Sequence, residues 1–154
     1  VAAERVLRAA NVVKALHGAF CRGAPSAELF QLATTKIVEA GPPFDRGYMY
    51  LLTQDALNLV ASAGQAAKLD TVALPNNGVE GQAVTQRQDV YVPDTSSAGC
   101  DTHFPDTRSK LVVLIRRHDV ILGVIAIESD AADGFSDAQQ VAVREVADGL
   151  AALL

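Results

Sequence analysis

The chain has 154 residues, 49% hydrophobic and 20% charged, which is one domain's length with enough apolar content to build a core. Its net charge of −5, from 13 basic and 18 acidic residues, is the wrong sign for a nucleic-acid or anionic-membrane surface. No apolar run approaches the roughly 20 residues that span a bilayer, no signal-peptide pattern opens the chain, and Cys21 and Cys100 alone make neither a disulfide framework nor a zinc site. A reducing, cytoplasmic setting is expected. Both ends read as cut from something longer, so residues 1–154 are expected to be a single domain excised from a multidomain protein.

Val6, Ala10, Val13, Leu16 and Phe20 recur at steps of three and four and predict an amphipathic helix over the first twenty residues. Gly23 and Pro25 break it. Ser26 then reads as an N-cap, with Leu29, Leu32, Ala33, Ile37 and Val38 as the apolar stripe of a second helix. After "GPPFDRG", the runs "YMYLLTQ" and "LNLVASAG" predict a hairpin turning at Asp55 and Ala56. Residues 68–77 read as irregular. In "GVEGQAVTQRQDVYVPDT", Gly78 and Gly81 bracket a turn, Gln82 to Gln86 wind a short helix, and Val90 to Val92 form a strand closed by Pro93. A polar loop covers 94–107. "SKLVVLIRR" and "VILGVIAIES" predict long strands joined at His118 and Asp119. Ser136 caps a last helix whose Val143, Val146, Ala147, Leu150 and Leu154 face inward.

The later strands are apolar on both faces. Ile121, Ile125 and Ile127 are expected to point one way, and Leu122, Val124 and Ala126 the other, so both sides of the sheet need a cover. The terminal helices supply one cover. The mostly irregular middle of the chain must roof the other, and a ligand cavity tends to lie under such a roof.

In this order, "GVEGQAVTQRQDVYVPDT", "RSKLVVLIRRHDVILGVIAIES" and "GFSDAQQVAVREVADGLAALL" resemble a GAF domain along the whole chain. The resemblance implies an α+β, GAF/PAS-like fold with a central antiparallel sheet, the N- and C-terminal helices on one face, and a pocket under 72–108 on the other. It further implies a sensory module of a bacterial signalling protein such as a sensor kinase, diguanylate cyclase or transcription activator, including two-component systems. Such a module pairs as a homodimer through its terminal helices and drives a covalently linked output domain. No contact with nucleic acid or membrane is expected of this domain.

Within the family, several chemistries are open. Cyclic-nucleotide-binding members carry an Asn-Lys pair, a Phe and an Asp-Glu pair; Glu128-Ser129, Phe135 and Gln139-Gln140 stand there, so only the Phe matches. Free methionine sulfoxide reductases carry a Cys-Asp step, matched by Cys100-Asp101, but further from the next strand than in that group, and with Glu80 where they have another cysteine. Haem-binding members take a histidine from the same loop, where His103 stands five residues before Arg108, making haem a possible cofactor. Bilin attachment is disfavoured because Asp, not His, follows Cys100. A small-molecule pocket remains, with Tyr48, Tyr50, Val79, Gln82, Tyr91, Asp94, Cys100, His103 and Arg108 as candidate lining, and the rival reading is a dimerisation module whose pocket is filled and takes no ligand. Arg108 could grip a carboxylate or phosphate, or pair with Asp94, Asp101 or Asp106, while Glu80 argues against a strongly anionic guest. His17, His103 and His118 are spread over a helix, a loop and a turn, so neither a catalytic set nor a metal cluster is expected, and the domain is not expected to be an enzyme by itself.

Overall fold

A computed structural model describes residues 7–65, 70–75, 78–96 and 105–154. Six strands form one antiparallel sheet: β1 (Arg46–Leu52), β2 (Ala56–Ala63), β3 (Thr71–Ala73), β4 (Val90–Val92), β5 (Ser109–Arg117) and β6 (Val120–Ser129). Their spatial order is β3-β2-β1-β6-β5-β4, so the long strands β1, β6 and β5 lie in the middle. Helices α2 (Ser26–Glu39) and α4 (Asp137–Ala151) pack on one face, with α1 (Ala9–Cys21) laid against both. The short α3 (Val79–Gln86) sits on the opposite face, against β5, β6 and β4. The expected α+β architecture, with terminal helices on one side, is the one observed.

Two separate apolar clusters follow from the period of two along the strands. Met49, Leu111, Val113, Ile115, Ile125 and Ile127 face the helical layer, whereas Tyr48, Tyr50, Val112, Leu114, Val124 and Ala126 face α3. One detail departs from the sequence pattern. Ile115 pairs with Gly123 and Arg116 with Ile121, leaving Leu122 as an extra residue in a bulge. The bulge swaps sides, so Ile121 joins the α3 face and Leu122 the helical face, the reverse of strict alternation.

Other boundaries also move. The buried stripe of α1 is Ala9, Val12, Leu16 and Ala19, which keeps Leu16 of the expected one and otherwise lies one position earlier; Phe20 is exposed, and Val6 lies outside the described residues. Pro25, not Ser26, is the N-cap of α2, in extended conformation and with no side-chain cap bond. The first hairpin turns over Thr53, Gln54 and Asp55, because Ala56 already belongs to β2. Part of the segment expected to be irregular forms the edge strand β3. Helix α3 starts at Val79 with Gly78 as N-cap, so Gly81 is inside the helix and does not close a turn before it. Ser136 does cap α4, its Oγ accepting from Gln139 N while Gln139 Oε1 accepts from Ser136 N.

Candidate functional site beneath the short helix

The α3 face is apolar over most of its area, but one level of it is not. Arg46 on β1 is the cross-strand partner of Glu128 on β6, and Glu128 is the partner of Lys110 on β5. Their side chains therefore form a row across the three central strands, positive, negative, positive. Burial is nearly complete: Arg46 is 7% exposed, Lys110 1% and Glu128 0%. From above, α3 lowers Glu80, itself 6% exposed, onto the end of the row.

The contacts are short. Lys110 Nζ lies 2.6 Å from Glu80 Oε1 and 3.6 Å from Glu128 Oε2. Thr107 Oγ1 donates to Glu128 Oε1 at 2.5 Å and accepts from Arg46 Nη2 at 3.0 Å. The same Nη2 donates to Asp130 Oδ1 at 2.5 Å. Burial opposes the Arg46 charge, but the hydrogen bond and charge of Asp130, together with Glu128, outweigh it and raise its pKa. Tyr48 and Tyr50 stand on the next two levels of the same face. Burial, reinforced by Glu128 for Tyr48 and by Glu80 for Tyr50, holds both phenols well above the usual tyrosine range.

Of the residues singled out in the sequence, Tyr48, Tyr50 and Val79 come together on this face. Gln82 is on α3 but exposed. Tyr91 turns to the other side of the sheet, where its hydroxyl donates to Asp133 at 2.8 Å and its ring meets Phe135 edge-on at 6.0 Å. The reason is parity: on β4 it is Val90 and Val92 that face α3. Asp94 and Arg108 stand at the rim. Ser96 donates to Asp94 from Oγ at 2.6 Å and from N at 2.9 Å, which holds that carboxylate below its ordinary range, with Arg108 as a smaller influence. The Arg108 side chain is exposed, while its backbone bonds Ser129 and Thr95. Cys100 and His103 lie outside the described residues. A porphyrin needs apolar walls for its two faces, and a row of buried charges at this level is a poor match for one.

Lys110, Arg46 and Thr107 escaped the sequence reading, and Glu80 and Glu128 were weighed only one at a time. A signal existed: Lys110 continues the alternation of Val112 and Leu114, and Glu128 that of Val124 and Ala126, on strands read as covered on both sides. A charge at such a position is expensive unless matched.

A concavity lies at the rim of the sheet and touches the row only through Asp130, a partner of Arg46. An open groove of about 930 Å³ runs along the rim beside the start of α4, lined by Pro42, Asp45, Tyr91, Asp133, Phe135 and Gln140 among others. Among the described residues no group of three or more His, Cys, Asp or Glu could hold a metal ion, and no helix is long and apolar enough to cross a membrane.

The connection between α3 and β4 is tied to the helical layer. Asp89 accepts from Leu114 N at 2.9 Å and from Arg144 Nε of α4 at 2.9 Å, and Arg144 Nη1 also donates to Leu114 O at 2.9 Å. These bonds satisfy β5 where β4 no longer covers it. They also link the corner after α3 to α4 around the sheet edge.

A comparison with curated proteins finds no match. Among solved structures, a type II free methionine-R-sulfoxide reductase from Thermoplasma acidophilum is 28% identical, covering 83% of this chain and 91% of its own, with a TM-score of 0.78. A free methionine-R-sulfoxide reductase from Neisseria meningitidis in complex with its substrate superposes with a TM-score of 0.84 at 20% identity, covering 99% of this chain and 92% of its own. The GAF domain of an Acinetobacter phosphoenolpyruvate-protein phosphotransferase gives 0.78 at 16%, covering 93% and 90%. At the last two identities the likeness speaks for the fold alone. The family model for the GAF domain matches residues 23–154, and the chain belongs to the GAF domain family.

Proposed function

We propose that this chain is a cytoplasmic sensory GAF domain that holds a small polar molecule on the sheet face beneath α3 and signals through its terminal helices to an attached output domain. The observation that carries the reading is the buried row Arg46–Glu128–Lys110 closed by Glu80. Buried ion pairs are weak stabilisers, and apolar residues of similar size often serve a core better. Three charged side chains on the face away from the helical layer are what recognition of a polar guest would require. Transmission needs the guest to favour one arrangement of the helices over another. The Asp89–Arg144 link supports such a route, since it joins the connection that follows α3 to α4. As in the sequence reading, α1 and α4 would pair with a second copy.

Thermal denaturation against a panel of polar metabolites tests the site. A saturable rise in Tm is expected in the wild type and not in Glu80→Gln/Lys110→Met, which removes one charge of each sign. A rise of equal size in that variant, or none with any compound, would count against the reading.

The 28% identity to the Thermoplasma enzyme supports a second reading, reduction of free methionine-R-sulfoxide. Two thiols and a sulfoxide yield a disulfide, a sulfide and water, so Cys100 would need a second thiol. Cys21 ends α1 on the helical side and is exposed, and in this reading an external dithiol supplies the second thiol. Turnover with a thioredoxin system that disappears in Cys100→Ser would establish the activity; a wild type without turnover would dismiss it.

A further inference from the structure

Resting on the pairing of terminal helices proposed above, we infer that each copy of the chain seats the exposed stripe of its α4 in the groove between α1 and α2 of a second copy. The groove consists of two adjoining concavities of about 270 and 470 Å³ that share Asn11 and Ala15. Its α1 wall is Arg8, Asn11, Ala15, Gly18 and Arg22, which recur at steps of three and four and so form one line down the helix and its caps. The middle of the line is small, which lets another helix come close, and the Arg22 guanidinium lies beside Gly18. Leu32 of α2 supplies apolar surface opposite. The border is basic in an acidic chain: Arg8, Lys14, Arg22 and Lys36 stand there, opposed by Glu39, which lies 3.9 Å from Lys36. Glu28 meets Arg22 in the neighbouring concavity at the start of α2, and with it included the cations still outnumber the carboxylates.

The complement is on α4. Ala138, Val141, Glu145, Asp148 and Ala152 are all exposed and repeat the spacing of the α1 line, a period of about 3.5 residues that suits helices packed side by side. Val141 is 54% exposed, whereas Val143 and Val146 of the same helix are fully buried. The one cation of α4, Arg144, is held by Asp89 and Asp148, and Arg117 bonds Leu154 O beyond its end; neither is ion-paired to Glu145. An apolar side chain flanked by carboxylates is what a small-floored, basic-walled groove accepts. A nucleic acid would meet the same cations but also a net charge of −5. Helix α1 lies against both α2 and α4, with the groove on one flank and the stripe on the other. A two-fold axis running along α1 therefore sets each groove against the partner copy's stripe.

Sedimentation equilibrium over a dilution series tests this. Wild type should form a dimer that weakens as salt rises, a result that needs no variant. Lys14→Glu/Arg22→Glu reverses the groove and Glu145→Lys the stripe, at side chains that are all exposed. Each variant alone should dimerise about tenfold or more weakly than wild type. An equimolar mixture of the two should regain wild-type strength, because reversed groove then meets reversed stripe and native groove meets native stripe. The groove variant should pair with wild type more weakly than wild type pairs with itself. Equal or tighter pairing there would mean that like faces meet like, and it overturns the inference. A dimer indifferent to salt and to both variants also overturns it, while leaving the pairing of terminal helices standing on another surface. A monomeric wild type overturns both and leaves the sheet-face reading untouched.

Discussion

Lys110 is the residue on which most depends. Its ammonium sits between two carboxylates with 1% of the residue exposed, so removing it leaves Glu80 and Glu128 facing each other in a dry interior. Lys110→Met is expected to cost about 3–5 kcal/mol, read as a fall in urea midpoint without a change in slope. Glu80→Gln/Lys110→Met should recover much of that loss, because both partners go together. The tyrosines give a second test at this scale. The folded-state pKa of Tyr48 and of Tyr50 is raised above the unfolded value of about 10, so their contribution is intact below that pH and is lost as pH rises beyond it. Phenolate absorbance should therefore show both still protonated where an exposed tyrosine ionises, and then titrating together with alkaline unfolding. A phenolate step for either before unfolding would contradict their burial.

Strand β6 meets β1 with no room to spare at Gly123, where a Cβ would lie 2.1 Å from the carbonyl oxygen of Tyr50. Gly123→Ala should destabilise the protein by about 3 kcal/mol or more, because the clash is with backbone and the neighbour cannot rotate away. Denaturant unfolding of the purified variant measures it. All strands but the short β3 were readable from the sequence, since apolar runs bounded by turns leave few alternatives. The faces of Ile121 and Leu122 were not, because one bulge at Leu122 reverses parity and nothing in "VILGVIAI" announces it. The α1 stripe slipped for a related reason: Val12 and Val13 are adjacent and equally apolar, and only the docking of α1 on α2 and α4 decides which is buried. The charged row was legible in its parts and not as a whole. Its members lie far apart in sequence, and only the registers of β1, β6 and β5 place them on one level.

At the scale of the molecule, the sheet separates two jobs. One face carries the buried charges and α3, and the other carries the helices through which a GAF domain would address its neighbours. Arg144 crosses between them at the edge of β5. Arg144→Ala should leave binding on the α3 face within a few-fold of wild type while abolishing any ligand-induced change in hydrogen exchange of α1 and α4. Unaltered exchange responses in that variant would remove Arg144 from the route. The most direct measurement is a crystal structure with the first metabolite that raises Tm. On the sheet-face reading it is expected beneath α3, with a polar group within hydrogen-bond distance of Arg46, Glu128 or Lys110. Density instead in the rim groove beside α4, with the Glu80–Lys110 contact intact, would contradict it.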